Sequence, residues 1–483
     1  MNGDSYPDLM STRARGDLVL YLGNAEGRFP DEPKITPRFE QPLRGPSSLT
    51  VGDIDGDGDL DVWLAQYKPP YRGGQMPSPY YDANDGFPSY LLLNDGQGNF
   101  SFGTAAAGLE AKRRRRTYAS SFVDLDDDSD LDLLVVSDFS GIDLYHNDGR
   151  GHFTDANDTL RADRHMFGMS AAFADYDLDG RLDFFVAGMA STTARRLEAM
   201  GLGRAEFPDM QEMRMRMAFG NRMYLARGDG WEEPGFSAQV ARTGWTWGTT
   251  AFDFDNDRDP DLFAANGHIS GRSSKDFCVS FWCHDIYDGT SEPNEGLGLL
   301  MGNRMKVLSS RTESWNGHEK NRLLMNLDGD GFVNVAFLLG VADSFDSRSA
   351  VSGDFDLDGR VDLVVVEDQG LKGERLHVYR NRLRTGNHWI GIRLVEEGNG
   401  ISPVGAFATV RTAEQTHVGR IVTGETVMGQ HPTTLHFGLG SSTRVESIEV
   451  RWMNGMTRIV HDPKVDRYHL IEADPPVHLP SSS

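Results

Sequence analysis

The sequence is poor in cysteine, in positive charge and in long apolar runs, and each shortage excludes a class of protein. Its two cysteines, Cys278 and Cys283, cannot build a disulfide framework, although they would allow one bridge or a metal site. No apolar run approaches 18 residues, so we expect no transmembrane helix. The 48 Lys and Arg against 72 Asp and Glu give a formal charge of −24, which argues against nucleic-acid binding.

Aspartate is in excess, and it recurs in one pattern. Five stretches, beginning with "DIDGDGDLD", place aspartate at positions one, three, five and nine of a short loop. Carboxylates at alternate positions of a tight loop suit Ca²⁺, which takes about 6–8 oxygen ligands. The five predicted sets are Asp53, Asp55, Asp57, Asp61; Asp124, Asp126, Asp128, Asp132; Asp175, Asp177, Asp179, Asp183; Asp253, Asp255, Asp257, Asp261; and Asp354, Asp356, Asp358, Asp362.

Two other interpretations of these loops are weaker. An EF-hand needs a Glu at position twelve and flanking helices, whereas these loops have Leu, Val or Ala there, between β-branched and aromatic runs. Plain acidic turns would not repeat five times at one spacing. Position six is Gly in three loops, where the turn favours positive φ, but Ser129 and Arg258 occupy it in two others. We expect those two calcium sites to be weaker.

The chain opens inside a sixth loop of the same kind. "NGDSYPDL" aligns with positions three to nine and predicts Asn2, Asp4 and Asp8 as ligands, for five or six calcium ions in all. No signal peptide is visible at the start. A cytoplasmic location follows if the start is genuine, and an extracellular or periplasmic one if a leader has been trimmed. The compartment stays open.

A second element alternates with the loops and predicts the fold. "LLLNDGQGNF" from Leu91 and four similar stretches read as β-hairpins, so each repeat comprises four antiparallel strands. We predict an all-β, six- or seven-bladed calcium-binding β-propeller over 1–384, a small β domain over 385–474 and a disordered tail over 475–483. A strand from one end of the repeats should complete the blade at the other end.

In a four-stranded meander the aspartate loops and the hairpins share one face of the propeller. The long insertions at 66–88, 188–221 and 268–321, with the links between blades, lie on the other face, which we call the elaborated face. Function is expected there, because loops on a rigid scaffold carry most binding sites. Candidate catalytic residues are His165, His268, His284, Asp285 and Arg348, and candidate ligand contacts are Arg116, Trp245, Trp247, Trp282 and His318.

For each of these residues a structural role is the alternative. Trp245 and Trp247 would suit an apolar ligand at the channel mouth or ordinary blade packing, and Arg116 would dock an anion or sit in solvent. Cys278, Cys283 and His284 could hold a second metal, although Cys-x4-Cys-His is not a standard zinc spacing. The ligand, a small molecule or a protein, is not defined by the sequence.

The motifs resemble a known family. The aspartate loops are similar to FG-GAP/VCBS repeats of integrin-type propellers, and "NHWIGIRL", "SPVGA", "LHFGLG" and "VRWMNG" resemble the ASPIC/UnbV domain. Together they resemble the cartilage acidic protein family, with "TGWTWG" and "FWCHDIYD" closer to its bacterial branch. That branch includes UnbV proteins of enediyne biosynthesis. The ASPIC/UnbV pattern often carries a Gly-Tyr-x-Ser-Gln element, and here "GETVMGQ" stands in its place.

The resemblance implies an enzyme or accessory protein in natural-product biosynthesis that acts through the elaborated face. The alternatives are a secreted calcium-dependent binding or adhesion module and a metal-dependent redox enzyme that uses the Cys/His insertion. The sequence contains no nucleophile elbow, phosphate loop or zincin helix, so no catalytic motif distinguishes these three functions.

Overall fold

The computed structural model describes residues 1–4, 6–395 and 401–473. Six successive sheets of antiparallel strands, here called blades 1 to 6, form a β-propeller-type array, and two further sheets form a C-terminal domain. Among the described residues, no helix is long and apolar enough to cross a membrane. The predicted tail, 475–483, lies outside the described residues.

The first three blades come from the first third of the chain. Blade 1 has β1 (Leu9–Thr12), β2 (Leu18–Tyr21) and β3 (Lys34–Ile35). Blade 2 has β4 (Pro46–Gly52), β5 (Asp61–Gln66), β6 (Tyr90–Asn94) and β7 (Phe100–Phe102). Blade 3 has β8 (Arg116–Val123), β9 (Asp132–Asp138), β10 (Gly141–Asn147) and β11 (Phe153–Asp155).

The next three blades follow the same order of strands. Blade 4 has β12 (Gly168–Ala174), β13 (Asp183–Gly188), β14 (Arg222–Arg227) and β15 (Gly230–Glu232). Blade 5 has β16 (Thr246–Phe252), β17 (Asp261–Asn266), β18 (Arg322–Asn326) and β19 (Phe332–Asn334). Blade 6 has β20 (Ser347–Gly353), β21 (Asp362–Asp368) and β22 (Glu374–Tyr379).

Helices occur mainly in the long insertions. They are α1 (Thr192–Ala199), α2 (Pro208–Met217), α3 (Ser237–Ala241), α4 (Cys278–Ser280), α5 (Ile286–Asp288), α6 (Glu295–Ser309) and α7 (Ala336–Leu339), with a π-helical turn at Phe281–Asp285 and 3₁₀ turns at Arg72–Gly74, Asn157–Thr159 and Gly370–Lys372. Proline at the first position of α2 and the Asn294 cap of α6 are ordinary helix starts.

In blades 2 to 6 the first strand is the innermost, and β4, β8, β12, β16 and β20 pack side by side in that order. Each of these five strands has a register shift near its start. A bulge increases local twist. The shifts therefore lie where neighbouring strands turn around a common axis.

One hydrogen bond ties the aspartate loop to the hairpin in all six blades. The position-nine aspartate accepts a backbone N–H at or near the end of the strand that leads into the hairpin, as Asp61 does from Asn94 at 2.9 Å. The other pairs are Asp8–Gly23, Asp132–Asn147, Asp183–Ala226, Asp261–Asn326 and Asp362–Asn381. The recurrence shows that six equivalent repeats are present, including the incomplete first one.

A second recurring bond joins neighbouring blades. The side chain of Asn147 donates to the Ile54 carbonyl, at position two of the preceding blade's loop, at 2.8 Å. Asn326 and Asn381 repeat this contact with Tyr176 and Phe254. Asn94 donates likewise to the Met1 carbonyl, so the chain start occupies the place of a loop position two.

The two ends of the array do not exchange strands. Among the described strands, blades 1 and 6 each have three, all from their own repeat. Our prediction that a strand from one end completes the other blade is therefore wrong. The reason is visible at blade 6, where β22 runs through Tyr379 into the C-terminal domain and leaves no fourth strand.

The C-terminal domain is a two-sheet β domain. Its strands are β23 (His388–Val395), β24 (Phe407–Arg411), β25 (Thr416–Arg420), β26 (Thr434–Gly440), β27 (Ser447–Arg451), β28 (Thr457–His461) and β29 (Tyr468–Glu472). The sheet orders are β26-β23-β29 and β25-β24-β27-β28, with β23 and β29 parallel. Apolar residues of both sheets, among them Ile392, Val410 and Trp452, form its core.

The segment between β25 and β26 leaves this domain and enters the propeller. We call residues 421–431 the channel loop. It makes hydrogen bonds with the innermost strands of five blades, through the pairs Thr423–Thr50, Gly424–Ser120, Glu425–Ala171, Thr426–Ala350 and His431–Thr250. "GETVMGQ", the departure from the family pattern, is thus the segment that fills the channel.

Candidate functional site

The aspartate loops have a common geometry. The position-one carboxylate accepts the backbone N–H of position six, as in Asp53–Gly58 at 3.1 Å, Asp175–Gly180 at 2.8 Å and Asp354–Gly359 at 2.8 Å. This closes the loop and turns the carboxylates of positions three and five toward the first. Oxygens of Asp53, Asp55 and Asp57 lie within 4.8 Å of one another, as do those of positions one, three and five in blade 3 and of positions one, three and nine in blades 4 and 5.

The loops are electrostatically unbalanced without a cation. Burial, followed by repulsion from neighbouring aspartates, raises the pKa of Asp61 and of Asp183 to about 8 and that of Asp175 to about 7. Several buried carboxylate oxygens have no hydrogen-bond partner among the described residues, namely Asp61 Oδ2, Asp124 Oδ1, Asp177 Oδ1 and Asp255 Oδ1. Converging, unpartnered anionic oxygens fit a hard divalent cation such as Ca²⁺.

The loops differ in how much of this charge the protein itself offsets. The predicted ligands of the loops beginning at Asp53 and Asp253 form no ion pair with described residues. By contrast, Arg227 pairs with Asp177 and Asp179, Arg380 pairs with Asp356, and Arg420 pairs with Asp124 at 2.9 Å. The Asp253 loop, which we expected to be weaker because of Arg258, has as little of its charge offset by ion pairs as the Asp53 loop.

Sequence reasoning missed one potential ligand. His146 Nδ1 lies 3.1 Å from Asp126 and 3.3 Å from Asp132, so it could join the carboxylates of its loop. Its place in the repeat is one residue before Asn147 in the hairpin, a position that the spacing of the aspartates does not reveal. In the first loop, the N-terminal ammonium lies 3.1 Å from Asp8, and Asn2 donates to Asp4.

On the elaborated face, the aromatic candidates meet in a buried cluster. Trp245 and Trp247 stack at 5.5 Å between ring centroids, and His268 and Trp315 pack against Trp245 at 4.3 and 5.4 Å. Trp282 is fully buried in the same apolar cluster, to which all three insertions contribute. The sequence thus identified residues that do come together. Their packing against one another is that of a hydrophobic core. Contact with a ligand stays a prediction.

The charged candidates on this face are largely paired. Arg116 is fully buried and binds Asp85 through two nitrogens, each at 2.8 Å. Arg348 lies over the Trp247 ring, 4.6 Å from its centroid, and pairs with Asp368 at 3.0 Å. Desolvation by burial, and to a lesser degree Arg348, lowers the pKa of His268. These contacts stabilise the insertions.

The remaining candidates lie outside that cluster of rings, although Asp285 accepts the hydroxyl of Tyr71, whose ring packs against Trp315. His165 pairs with Asp163 at 2.9 Å, and Asp285 with Arg304 at 2.6 Å. His284 is exposed on the π-helical turn, and His318 is exposed beside the Gly271 carbonyl at 3.1 Å.

The two cysteines are both free. Cys278 is buried with its sulfur 3.2 Å from Ser191 Oγ, and burial raises the pKa of its thiol to about 12. A metal ligand must be a thiolate. This environment therefore favours packing over metal binding.

A cavity lies at the opposite face, where the C-terminal domain covers the aspartate loops of blades 4, 5 and 6. We call it the junction cavity. It has a volume of about 540 Å³. Its propeller wall includes Asp175, Asp253, Ser352, Asp354 and Phe355, and its domain wall includes Arg393, His417, Glu425, His431 and Tyr468.

Several groups in the junction cavity have unused polar atoms. His417 Nε2 and Glu425 Oε2 are buried and have no hydrogen-bond partner among the described residues. Burial, with Arg258 nearby, lowers the pKa of His417 to about 4, so its ring is neutral at pH 7. The cavity is within the 300–1,000 Å³ range that small-molecule sites occupy.

Family comparisons agree with this architecture. Residues 397–476 match the family model described as ASPIC and UnbV, and residues 1–64 and 124–186 match that described as FG-GAP-like repeat. Mouse cartilage acidic protein 1 is 24% identical over 432 residues, which cover 85% of this chain and 53% of that protein. Human T-cell immunomodulatory protein is 23% identical over 232 residues, covering 39% of this chain and 37% of the other.

The chain therefore spans about half the length of the mouse cartilage acidic protein and little over a third of the human immunomodulatory protein. Among solved structures, the V. cholerae biofilm matrix protein Bap1 aligns with 87% of this chain and 59% of its own, at 12% identity and a TM-score of 0.31. AofleA from Arthrobotrys oligospora aligns over 79% and 87%, at 11% identity and a TM-score of 0.33.

Proposed function

Because the chain is an FG-GAP-repeat protein with a C-terminal ASPIC and UnbV domain, we propose that it is a calcium-stabilised β-propeller that binds a small molecule in the junction cavity. The observation that carries this proposal is the cavity itself, which is walled by three aspartate loops on one side and by the C-terminal domain on the other. Ligand sites form preferentially at such domain junctions.

The calcium part of the proposal rests on the loop carboxylates. Ions held by the aspartate sets named above would neutralise oxygens that are buried, close together and short of partners. Three of these loops contribute Asp175, Asp253 and Asp354 to the cavity wall. Calcium would therefore stabilise the blades and also remove negative charge from the wall that faces the ligand.

The junction cavity is a better candidate than the elaborated face. On the elaborated face, Trp245, Trp247 and Trp282 are covered by one another and by the insertions. In the cavity, Phe355 and Leu357 are 52% and 74% exposed, and the Arg393 guanidinium has no partner among the described residues. Exposed apolar side chains beside a cation that no described residue pairs favour a ligand that has an apolar body and an anionic group.

A dye with that chemistry, anilinonaphthalene sulfonate, tests the proposal. We expect its fluorescence to rise on binding to the folded, calcium-loaded protein. Arg393→Glu should weaken binding at least tenfold, whereas Arg375→Glu, an exposed arginine on β22 outside the cavity, should leave it unchanged. Equal binding by both variants would place the dye elsewhere and contradict the proposed site.

The role in natural-product biosynthesis, suggested by the UnbV resemblance, stays a prediction, as does a secreted adhesion role. Both are compatible with a small-molecule cavity. The redox interpretation also stays a prediction, and burial, which raises the pKa of the Cys278 thiol to about 12, does not favour it.

A further inference from the structure

A chain of hydrogen bonds connects the junction cavity with the channel loop. His431 Nδ1 lies 2.5 Å from Glu425 Oε1, and His431 Nε2 lies 2.9 Å from Thr250 Oγ1. Thr250 Oγ1 in turn lies 2.7 Å from Ser352 Oγ. Glu425, His431 and Ser352 all line the cavity. A hydroxyl, an imidazole and a carboxylate are thus joined in series, a hydroxyl–histidine–acid arrangement.

This order of groups matches the roles that nucleophilic catalysis needs. A serine hydroxyl is a weak nucleophile until a base within hydrogen-bond reach takes its proton, and that base must be oriented by a third group. Here the carboxylate of Glu425 holds Nδ1 of His431, which leaves Nε2 to accept a proton from the hydroxyl side. Glu425 is 5% exposed and Thr250 is 1% exposed, so water competes little for these bonds.

The fold holds the three elements rigidly. Thr250 and Ser352 lie on the neighbouring inner strands β16 and β20. Glu425 is fixed by its own carbonyl, which accepts the Ala171 N–H at 2.8 Å, and Thr426 donates to the Ala350 carbonyl at 3.3 Å. The relay therefore forms only when the channel loop is seated among the blades.

We propose that this relay makes the junction cavity an acyl-transfer site, with Ser352 as the nucleophile, Thr250 as proton carrier and His431 as general base. The inference rests on the proposed function, because it requires that the cavity admit a ligand. The substrate class is a carboxylic ester with an apolar acyl chain, which Phe355 and Leu357 in the cavity wall would contact.

The bond changes balance as follows. Ser352 Oγ forms a bond to the ester carbonyl carbon, while its proton passes to Thr250 and the Thr250 proton passes to His431 Nε2. The neutral His417 ring, whose Nε2 has no partner among the described residues, supplies a donor for the developing oxyanion. The alcohol leaves with the proton from His431, and water then cleaves the acyl-serine by the same route to release the acid.

Hydrolysis of p-nitrophenyl butyrate and covalent labelling by a fluorophosphonate probe test this assignment on the full chain with calcium. We expect wild type to hydrolyse the ester and to carry the phosphonyl group on Ser352. Ser352→Ala should abolish labelling, and His431→Gln should lower hydrolysis by roughly a hundredfold or more, the usual contribution of a general base.

Thr50→Val is the matched control. Thr50 has the same position in blade 2 as Thr250 in blade 5, three residues before the loop, and its hydroxyl also bonds to the channel loop, through Thr423 at 2.9 Å. It takes no part in the relay. We expect Thr250→Val to lower hydrolysis at least tenfold, and Thr50→Val, which removes a bond to the channel loop without removing a relay group, to lower it by a smaller factor.

Two results would overturn the assignment. One is a Ser352→Ala variant that is still labelled, and the other is a folded wild type that neither hydrolyses the ester nor reacts with the probe. Dye binding in the cavity distinguishes failure of the acyl-transfer assignment from failure of the proposed function. A cavity that binds the dye but does not hydrolyse the ester remains a ligand site. In that case the hydrogen-bond relay only anchors the channel loop.

Discussion

At the scale of single residues, the position-nine aspartates have two roles. Asp183 accepts the Ala226 N–H at 2.8 Å with one oxygen and the Tyr176 N–H at 2.9 Å with the other. Asp61 uses one oxygen for the hairpin and leaves the second without a partner among the described residues. The same side chain therefore fixes the blade and contributes negative charge to the proposed ion site.

The ion pairs predict which loop depends most on calcium. Asp253→Asn should remove most of the calcium-dependent stabilisation of its loop, which has no arginine to replace the ion. A site at a hundredfold excess over its Kd contributes about 2.7 kcal/mol, so the calcium-induced rise in Tm should fall by several degrees. Differential scanning calorimetry with calcium and with chelator measures the change.

Asp177→Asn is the comparison variant. Arg227 already offsets part of the charge of that loop, at the cost of competing with a cation for Asp177 and Asp179. We expect a smaller loss of the calcium-induced rise in Tm than for Asp253→Asn. If the two variants respond alike, arginine pairing does not rank the sites.

The loop carboxylates could be predicted from spacing because the loop is local and its ligands share a short stretch of chain. The partners of these carboxylates could not. Arg420 reaches Asp124 across 296 positions and His146 reaches Asp132 across 14, so neither follows from the loop motif.

At the scale of elements, the channel loop depends on one glycine. Gly424 has φ +78°, and a Cβ added there would lie 2.2 Å from the Ser120 carbonyl oxygen. Gly424→Ala should therefore both strain the backbone and push the loop away from β8. Gly455 has φ +80° with nothing within 4 Å of an added Cβ, so Gly455→Ala carries the backbone strain alone.

We expect Gly424→Ala to lower the free energy of unfolding by roughly 1–3 kcal/mol more than Gly455→Ala, the usual cost of overpacking. Urea unfolding followed by tryptophan fluorescence measures both. Limited proteolysis should also cut residues 421–431 faster in Gly424→Ala. Identical behaviour of the two variants would mean that the loop is not seated in the channel.

The blades were predictable as elements, whereas the channel loop was not. Alternating apolar residues and Asn/Gly turns recur along the repeats, so the sequence pattern alone indicates six of them. "GETVMGQ" has no such periodicity, and its partners Ser48, Ser120 and Ala171 lie in the first half of the chain. The aromatic cluster was predictable only in part. The sequence identified its members as candidates, but it did not predict that they would be buried.

At the scale of the whole molecule, the raised carboxyl pKa values predict an unusual pH dependence. In the metal-free protein the pKa of Asp175 is raised to about 7 and those of Asp61 and Asp183 to about 8, against an ordinary value of 3.8. Between the ordinary carboxyl pKa and the raised values, the folded state binds more protons than the unfolded state. The free energy of unfolding of the metal-free protein therefore falls as pH rises through this range.

With chelator present, we expect Tm to be higher at pH 5 than at pH 8. Saturating calcium should reverse or flatten this trend, because the ions favour the ionised carboxylates and bind more tightly at higher pH. Thermal melts across this pH range measure both series. A metal-free protein that is more stable at pH 8 would contradict the charge imbalance described for the loops.

The open ends of the array follow from the same topology. Blade 6 has no following blade to cover its loop, so Phe355 is 52% exposed, whereas its counterpart Phe254 in blade 5 is 6% exposed. Leu376 and Val378 on the edge strand β22 are also exposed. The repeat count alone could not predict this, because it does not say whether the two ends meet.

The channel loop also has a consequence for biosynthesis of the chain on the ribosome. Thr423 and its partner Thr50 are 373 positions apart, and the blades emerge before the loop that fills them. Until residue 431 has been made, the backbone N–H groups of Ser120 and Ala171 lack the carbonyls that they bind in the finished protein. Water must occupy the channel during this interval and leave when the loop enters. The nascent propeller thus remains incomplete until residue 431 has been made, which makes the seating of this loop a long-range and therefore slow step of folding.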